Sequence, residues 1–271
     1  MLVEAVLSWA KELGMNALHG PLGFSDLDPQ GILVEGFDQL GNVATLYHYP
    51  YYKNHFEQLE FQTECDWVEF KFSLENEYPP ILSKINQRAR KRLGLTLKEV
   101  KTMRELSPWL DDIFDLVNTT YVNHFGFVPL NKQQHDFYLN MFSSLIKASY
   151  VPMLVDSEQK LVGFCFSFPS LAVLFQEFNG RLFPFNFLRV LKALSCHDRV
   201  ELGLVGIHSD YHRKGLPAIL MESSFRAFRN YGVCNVETNP ELATNISVQS
   251  FWKHFNAVQH KRRRCYRKDV V

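Results

Sequence analysis

The sequence predicts an α/β protein, and two observations carry this prediction. Of the 271 residues, 46% are hydrophobic and 21% are charged, which is the composition of an ordinary globular protein. From Leu95 to Lys268 the apolar pattern indicates a strand, two helices, a hairpin, a strand, a loop, a helix, a strand, a helix and a strand. The chain is therefore expected to form a layered fold in which helices flank a sheet.

The elements of residues 1–78 are fewer and more widely spaced. Apolar residues at helical spacing predict a first helix that ends at Gly14. The other elements expected here are a strand at 17–20, a helix at 51–59 and a strand at 66–72. Pro79-Pro80 marks a break, and the basic stretch 81–93 is expected to be a connecting helix. We therefore predict units at 1–78, 79–94 and 95–271.

In the last unit, Ser107-Pro108 followed by two aspartates predicts a helix start. Asn131 is expected to cap the next helix, whose apolar face includes Leu145. The remaining expected elements are strands at 95–103, 150–155, 160–168, 199–207 and 261–268, a short strand near 235, and helices near 188–194, at 217–231 and at 246–255. A phenylalanine-rich insertion at 170–197 separates two of these strands.

The segment 199–228 carries the clearest chemical signal. An apolar strand leads into a loop with Arg213, Lys214 and Gly215, and an amphipathic helix follows directly. The free amides and the positive end of such a helix favour an anion, and glycine permits close approach of a ligand to the backbone. Neither GxxxxGK[ST] nor GxGxxG is present, which excludes a P-loop and disfavours a dinucleotide fold.

The loop resembles the signature Gln/Arg-x-x-Gly-x-Gly/Ala of the GNAT acetyl-CoA-dependent N-acyltransferases. The matching residues are His212-Arg213-Lys214-Gly215-Leu216-Pro217. The segment 245–256 keeps the family's later spacing, with Asn245 on its asparagine, Trp252 on its usual tyrosine and Asn256 on its glycine. The resemblance implies a GNAT-like mixed, mostly antiparallel sheet flanked by helices. The order of elements in 1–78 resembles a partial second GNAT-like unit, either truncated or completing the sheet in another way.

The resemblance also implies transfer of an acetyl group from acetyl-CoA to a small-molecule or peptide amine. Glu201 lies at the spacing where some GNAT enzymes carry a base. The residues that the resemblance assigns to the coenzyme are Val205, Gly206, Ile207, His212, Arg213, Lys214, Gly215, Leu216 and Asn245. The Val205 amide would polarise the thioester carbonyl. Trp252 has no proton to give to the leaving thiolate, although a thiol with a pKa of about 8.5 needs no acid.

Several alternatives stay open at this point. His212, Pro217 and Trp252 depart from the family pattern, which favours an inactive GNAT-like module that binds acyl-CoA or a peptide. A tandem enzyme of the aminoacyl-transfer type is a third reading. Glu201 is otherwise a salt-bridge carboxylate, and Trp252 a core residue. The insertion either widens the core or lines an acceptor pocket. The basic tail 261–268 and the acidic stretch 57–77 are either two solvated faces or partners of each other.

Location and partners follow from absences in the sequence. The N-terminus lacks the pattern of a signal peptide, and no apolar run approaches the length of a membrane span. The five cysteines are spread without a CxxC, which favours reduced thiols and argues against a zinc site. We therefore expect a cytoplasmic protein with no metal and no membrane partner. The balanced net charge gives no support for nucleic acid.

Overall fold

The computed structural model describes residues 2–25, 27–75, 77–142 and 146–270. Its helices are α1 (Leu2–Glu12), α2 (Tyr51–Gln58), α3 (Pro80–Leu93), α4 (Met103–Leu106), α5 (Leu110–Thr120), α6 (Lys132–Phe142), α7 (Ala172–Phe178), α8 (Asn186–Ser195), α9 (Leu216–Asn230) and α10 (Ile246–Trp252). Its strands are β1 (Ala17–Gly20), β2 (Ile32–Glu35), β3 (Gln62–Ser73), β4 (Thr96–Lys98), β5 (Met153–Val155), β6 (Leu161–Pro169), β7 (Arg199–Ile207), β8 (Asn235–Thr238), β9 (Glu241–Leu242) and β10 (Val258–Asp269). Leu145, expected on the face of α6, lies outside the described residues.

All of these strands join one sheet. The strand order is β1-β10-β3-β8-β7-β6-β5-β4, with β2 also paired to β10 and β9 to β3. Every pairing is antiparallel except that of β7 with β8. The mixed, mostly antiparallel sheet flanked by helices is therefore confirmed.

Strands from the N-terminal region lie within the sheet of the C-terminal region and complete it. Strand β3, from residues 1–78, lies between β8 and β10. Strand β10, from the end of the chain, pairs in turn with β1, β2 and β3. Because backbone hydrogen bonds run through these pairings without a gap, the two regions share one sheet.

The basic tail and the acidic stretch face each other across β3 and β10. The Asp66 carboxylate accepts hydrogen bonds from Arg262 at 3.0 Å and from Arg264 at 2.7 Å. Glu69 accepts from Arg263 at 3.0 Å and lies 2.6 Å from the Lys261 ammonium. Of the two alternatives for these charge runs, the structure has the paired one.

The two central strands separate at the middle of the sheet. Strands β7 and β8 pair only from Arg199 to Leu202 of β7, and the rest of β7 pairs with β6 alone. The register with β6 shifts beside Gly203, where an added Cβ would lie 2.9 Å from the Phe166 ring. The bulge and the missing side chain open a gap between β7 and β8.

Two local expectations were wrong. The strand expected at 95–103 is only Thr96–Lys98, because Thr102 caps α4 by accepting a hydrogen bond from the Glu105 amide at 3.3 Å. The helical segment thus begins at Met103, and Ser107 lies at the end of α4 and not at a helix start. Among the described residues, no helix combines the length and the apolar character needed to cross a bilayer.

The phenylalanine-rich insertion forms two helices, α7 and α8, rather than one. Phe178 is buried, but Phe183 and Phe185 are 80% and 73% exposed. The expectation that this segment widens the core was therefore wrong for most of its aromatic side chains.

Candidate active site: a cationic cleft and a buried carboxylate

An open cleft of about 990 Å³ lies between α3, the start of α9 and α10. Its cationic lining consists of Arg88, Lys91, Arg92, Arg213 and Lys214. Ser247, Ser250 and His254 line the side formed by α10 and the turn after it. No acidic side chain lies among the described residues that line this cleft. Such a lining attracts a polyanion.

The bend before α9 leaves backbone amides without acceptors. Arg213 and Gly215 have φ values of 58° and 89°, both in the left-handed region. The Lys214 amide donates to the Tyr211 carbonyl at 3.3 Å. Within the described part of the chain, the amides of Arg213, Gly215 and Leu216 donate to no acceptor. The amides of Arg213 and Gly215 therefore remain available beside the cleft at the positive end of a 15-residue helix, whereas Leu216, expected to contact the coenzyme, is fully buried and does not line the cleft.

Helix α3 packs directly against this bend. A Cβ on Gly215 would lie 2.8 Å from Ile85 Cγ2 and 3.3 Å from Ala89 Cβ. Glycine is thus required here both by its positive φ and by the closeness of α3. The contact brings the arginines of α3, expected only to connect two units, to the rim of the cleft.

Two residues expected to contact the coenzyme have other bonds. His212 Nε2 lies 3.0 Å from the Ile207 carbonyl oxygen, so this ring folds back toward the end of β7. Asn245 Oδ1 accepts from the Val248 amide at 3.4 Å and caps α10. Pro217 lines the cleft as the second residue of α9, where its ring supplies no amide hydrogen.

Tyr121 covers the backbone of β7 at the gap between the strands. The Val205 amide donates to Tyr121 Oη at 3.3 Å, and that hydroxyl donates to the Val205 carbonyl at 3.2 Å. Gly206 lies under the Phe164 ring, with 2.4 Å between an ideal Cβ and the nearest ring carbon. The Val205 amide, which was expected to polarise the thioester carbonyl, is thus hydrogen-bonded to the Tyr121 hydroxyl. No sequence motif pointed to Tyr121.

Glu201 is fully buried. Ser170 Oγ donates to Glu201 Oε1 at 2.6 Å, and the Val43 amide donates to Oε2 at 3.2 Å. Burial and the nearby Glu237 carboxylate together raise the pKa of Glu201 to about 7, against the opposing effect of both hydrogen bonds and of the Lys261 charge. A carboxyl with such a pKa exchanges protons near neutral pH.

Glu201 stands at the end of a row of buried charges. It is in register with Glu237 on β8, Glu237 contacts the Lys261 ammonium, and Lys261 also contacts Glu69. Arg263 completes the row beside Glu69. Three carboxylates face two cations, so the row is electrically balanced when Glu201 holds a proton.

The segment 37–48, here called the strap, crosses this row. Its Leu40 carbonyl accepts from Lys261 at 3.2 Å, and its Leu46 carbonyl accepts from Arg263 at 2.8 Å. Its Asn42 amide group donates to Glu69 at 3.2 Å. With the bond from Val43 to Glu201, the strap covers the candidate base with residues from the other end of the chain.

His260 adds a third possible ligand atom beside Glu69 and Glu237, and the three groups lie within 4.8 Å of one another. The Lys261 ammonium already contacts both carboxylates. Burial and neighbouring cations lower the pKa of His260 to about 3, so its ring is neutral. The Lys261 ammonium therefore already compensates the negative charge of Glu69 and Glu237.

Trp252 is a buried core residue. Its ring stacks on Phe72 with 5.9 Å between the centroids, and its Nε1 donates to Glu241 at 2.9 Å. Burial raises the pKa of Glu241 to about 7. Of the two readings of Trp252, the structure has the packing one.

Solved structures with similar folds cover the whole chain. A GCN5-related N-acetyltransferase from Sphaerobacter thermophilus aligns with a TM-score of 0.53 at 13% identity, over 99% of this chain and 68% of that one. A tandem GNAT protein from the clavulanic acid biosynthesis pathway aligns with a TM-score of 0.50 at 10% identity, over 100% of this chain and 69% of that one. The chain has the GNAT fold.

Two proteins of known name are similar to this chain in sequence. Protein YghO of Escherichia coli K12 is 23% identical over 99% of this chain and 70% of its own length. The bacterial ceramide synthase of Caulobacter vibrioides is 20% identical over 99% of this chain and 71% of its own length. No family model matches the sequence.

Proposed function

We propose that the protein transfers an acyl group from an acyl-coenzyme A to an amine, with acetyl-CoA as the expected donor. The observation that carries the proposal is the open bend: the amides of Arg213 and Gly215 are unpaired, and both residues line a cleft that also contains the cationic side chains of α3. Amides at a helix N-terminus bind phosphate oxygens, and arginine and lysine side chains bind them from the other side.

The residues present fit a coenzyme with two adjacent phosphates. The amides of Arg213 and Gly215 would bind the diphosphate, and Arg88 and Arg92 would neutralise its charge from α3. The gap between β7 and β8 would take the extended pantetheine arm, whose thioester would then lie near Val205. The coenzyme supplies an activated carbonyl carbon and a thiolate leaving group.

In the proposed reaction, the amine nitrogen attacks the thioester carbonyl carbon, and the carbon–sulfur bond breaks. Glu201 accepts the proton that the amine loses, directly or through water. The thioester carbonyl replaces the Tyr121 hydroxyl at the Val205 amide, so the developing oxyanion gains a backbone donor. Because Glu201 is fully buried and the Val43 amide of the strap covers one of its oxygens, access of the acceptor would require a movement of the strap.

The relatives support amide formation as the type of reaction. One of them is named a ceramide synthase, and a ceramide is an amide of an acyl group and an amine. The length of the acyl group and the acceptor are therefore the variables to test first.

The test combines binding and turnover with one set of variants. Coenzyme A is expected to raise the melting temperature of the wild-type protein, whereas adenosine is not, because a ligand of the native state stabilises it. Arg213→Ala/Lys214→Ala is expected to weaken coenzyme A binding about tenfold or more, since two charge-assisted contacts are lost. Arg104→Ala, at an exposed arginine of α4, is the matched control and is expected to change nothing.

Turnover is measured as thiol release from acetyl-CoA and longer acyl-CoA donors with a panel of amines. Glu201→Gln is expected to retain coenzyme A binding and to lower turnover on the order of 100-fold, the usual effect of a lost general base. The second candidate function is an acyl-CoA-binding module, favoured by the hydrogen bond between Tyr121 and Val205. Binding of coenzyme A without turnover of any donor would support that module. Absence of binding at millimolar coenzyme A would overturn both.

A further inference from the structure

The insertion, residues 170–197, presents a set of large apolar side chains to solvent. Phe183 and Phe185 are 80% and 73% exposed, and they flank Pro184 in the loop between α7 and α8. Three more follow on α8, namely Phe187, Leu188 and Leu191. We call these five side chains the apolar face.

The apolar face is continuous. The rings of Phe183 and Phe187 are 6.1 Å apart between centroids, which joins the loop to α8. Leu188 and Leu191 are three residues apart and lie on one side of the helix. No residue of α8 is buried, so the helix rests on the protein without entering its core. Aromatic side chains so exposed indicate an interaction surface.

The insertion that carries this face has an excess of positive charge. The insertion contains Arg181, Arg189 and Lys192, and Glu177 is its acidic residue. Glu177 is paired with Arg189. Among the described residues, Arg181 and Lys192 have no ion-pair partner. The whole chain has no net charge, so this excess belongs to the segment that also carries the apolar face.

We propose that the insertion docks the protein on the surface of a bilayer that contains anionic phospholipid. Phe183 and Phe185 would enter the boundary between headgroups and acyl chains, and α8 would lie in the plane of that boundary. Arg181 and Lys192 would reach lipid phosphates while their aliphatic stems cover apolar surface. This proposal departs from the expectation that the protein has no membrane partner, and it does not depend on the proposed function.

Charge complementarity decides between a bilayer and a second copy of the chain. Two such faces in contact would bring Arg181 and Lys192 close to their own counterparts, and like charges in contact oppose association. An anionic bilayer neutralises the same cations and accepts the aromatic side chains.

The docked segment begins at the candidate base. Ser170, the first residue of the insertion, donates the 2.6 Å hydrogen bond to Glu201. The apolar face and this carboxyl are therefore joined through one short segment, and docking would hold that side of the protein toward the bilayer.

The experiment is co-sedimentation of the full chain with vesicles of phosphatidylcholine alone and of phosphatidylcholine with 30% phosphatidylglycerol, at low and high salt. The wild-type protein is expected to bind the anionic vesicles and to bind less at high salt. Phe183→Ser/Phe185→Ser is expected to weaken this binding about tenfold or more. Arg181→Glu/Lys192→Glu is expected to abolish the preference for anionic vesicles.

Phe24→Ser is the matched control, because Phe24 is also highly exposed but lies outside the insertion. Each variant is checked by its melting temperature and by coenzyme A binding, which a lost docking surface leaves unchanged. Equal sedimentation of wild type and Phe183→Ser/Phe185→Ser, or no sedimentation of the wild type, would overturn the proposal. So would a dimer in light scattering that dissociates in this variant while vesicles remain unbound.

Discussion

At the scale of the residue, the burial of Glu201 and its neighbours in the row of charges set the pKa of its carboxyl group. A carboxyl on a strand facing water would ionise well below neutral pH. Here the strap and Ser170 enclose it, Glu237 stands beside it, and its pKa rises to about 7. The sequence alone left a base and a salt-bridge carboxylate as alternatives, and among the described residues no cation forms an ion pair with Glu201.

The balance of charge in this buried row can be tested by substitution of Lys261. Lys261→Met removes the ammonium between Glu69 and Glu237; Glu69 keeps Arg263, but the buried Glu237 carboxylate loses its ion-pair partner. The free energy of unfolding is expected to fall by about 3–5 kcal/mol in urea titrations. Lys160→Met, at an exposed ion pair, is the matched control and is expected to cost at most about 1 kcal/mol. Equal losses in the two variants would contradict the charge row.

The raised pKa values of Glu201 and Glu241 predict how stability depends on pH. Each group binds its proton more tightly when folded, so its contribution is complete below pH of about 4.5 and is lost as pH rises toward 7. Melting temperatures measured from pH 4.5 to 8 are expected to fall over this window. Glu201→Gln and Glu241→Gln should each flatten the fall, and the double variant most of all. An unchanged slope in the double variant would show that other groups carry it.

At the scale of the element, the bend before α9 depends on α3 as well as on its own residues. Gly215 has a positive φ, and Ile85 of α3 lies where a Cβ would stand. The positive φ is a local reason for glycine at this position. The closeness of α3 is a second reason, which the sequence motif does not contain.

Gly215→Ala separates these two reasons when it is compared with Gly232→Ala. Gly232 has a φ of 76° but no atom within 4 Å of an ideal Cβ. Gly232→Ala is therefore expected to lower the free energy of unfolding by about 1 kcal/mol, the cost of the left-handed backbone alone. Gly215→Ala is expected to lower it by about 1–3 kcal/mol more, because α3 has to move. Coenzyme A binding should weaken only in Gly215→Ala, as measured by calorimetry.

At the scale of the whole molecule, the two ends of the chain depend on each other. Strand β3 fills the place between β8 and β10, and the strap covers a carboxyl 158 residues away in sequence. A C-terminal region alone would expose the edge of β8 and lose Glu69, the partner of both Lys261 and Arg263.

Residues 79–271 expressed alone are therefore expected to lack a cooperative thermal transition in circular dichroism. Co-expression with residues 1–78 is expected to restore the transition and to recover both pieces in one complex. Cooperative unfolding of residues 79–271 alone near the melting temperature of the full chain would show that the shared sheet is dispensable.

The sequence by itself determined the features that arise within a few residues of one another. The order of helices and strands from Leu95 and the bend before α9 follow from local spacing, glycine placement and helix starts. The same local patterns failed at 95–103, where a capping threonine started a helix earlier than expected.

Only the tertiary structure decided four features: the position of β3 between β8 and β10, the burial of Glu201, the Tyr121 hydroxyl at Val205 and the exposure of the insertion to solvent. Each of these depends on which distant segments meet, and the periodicity of apolar residues within one element does not say which other element will cover it. The sequence located the bend before α9, the candidate phosphate site, because a helix start is local. It could not locate the rest of the site, because the strap, α3 and β3 come from other parts of the chain.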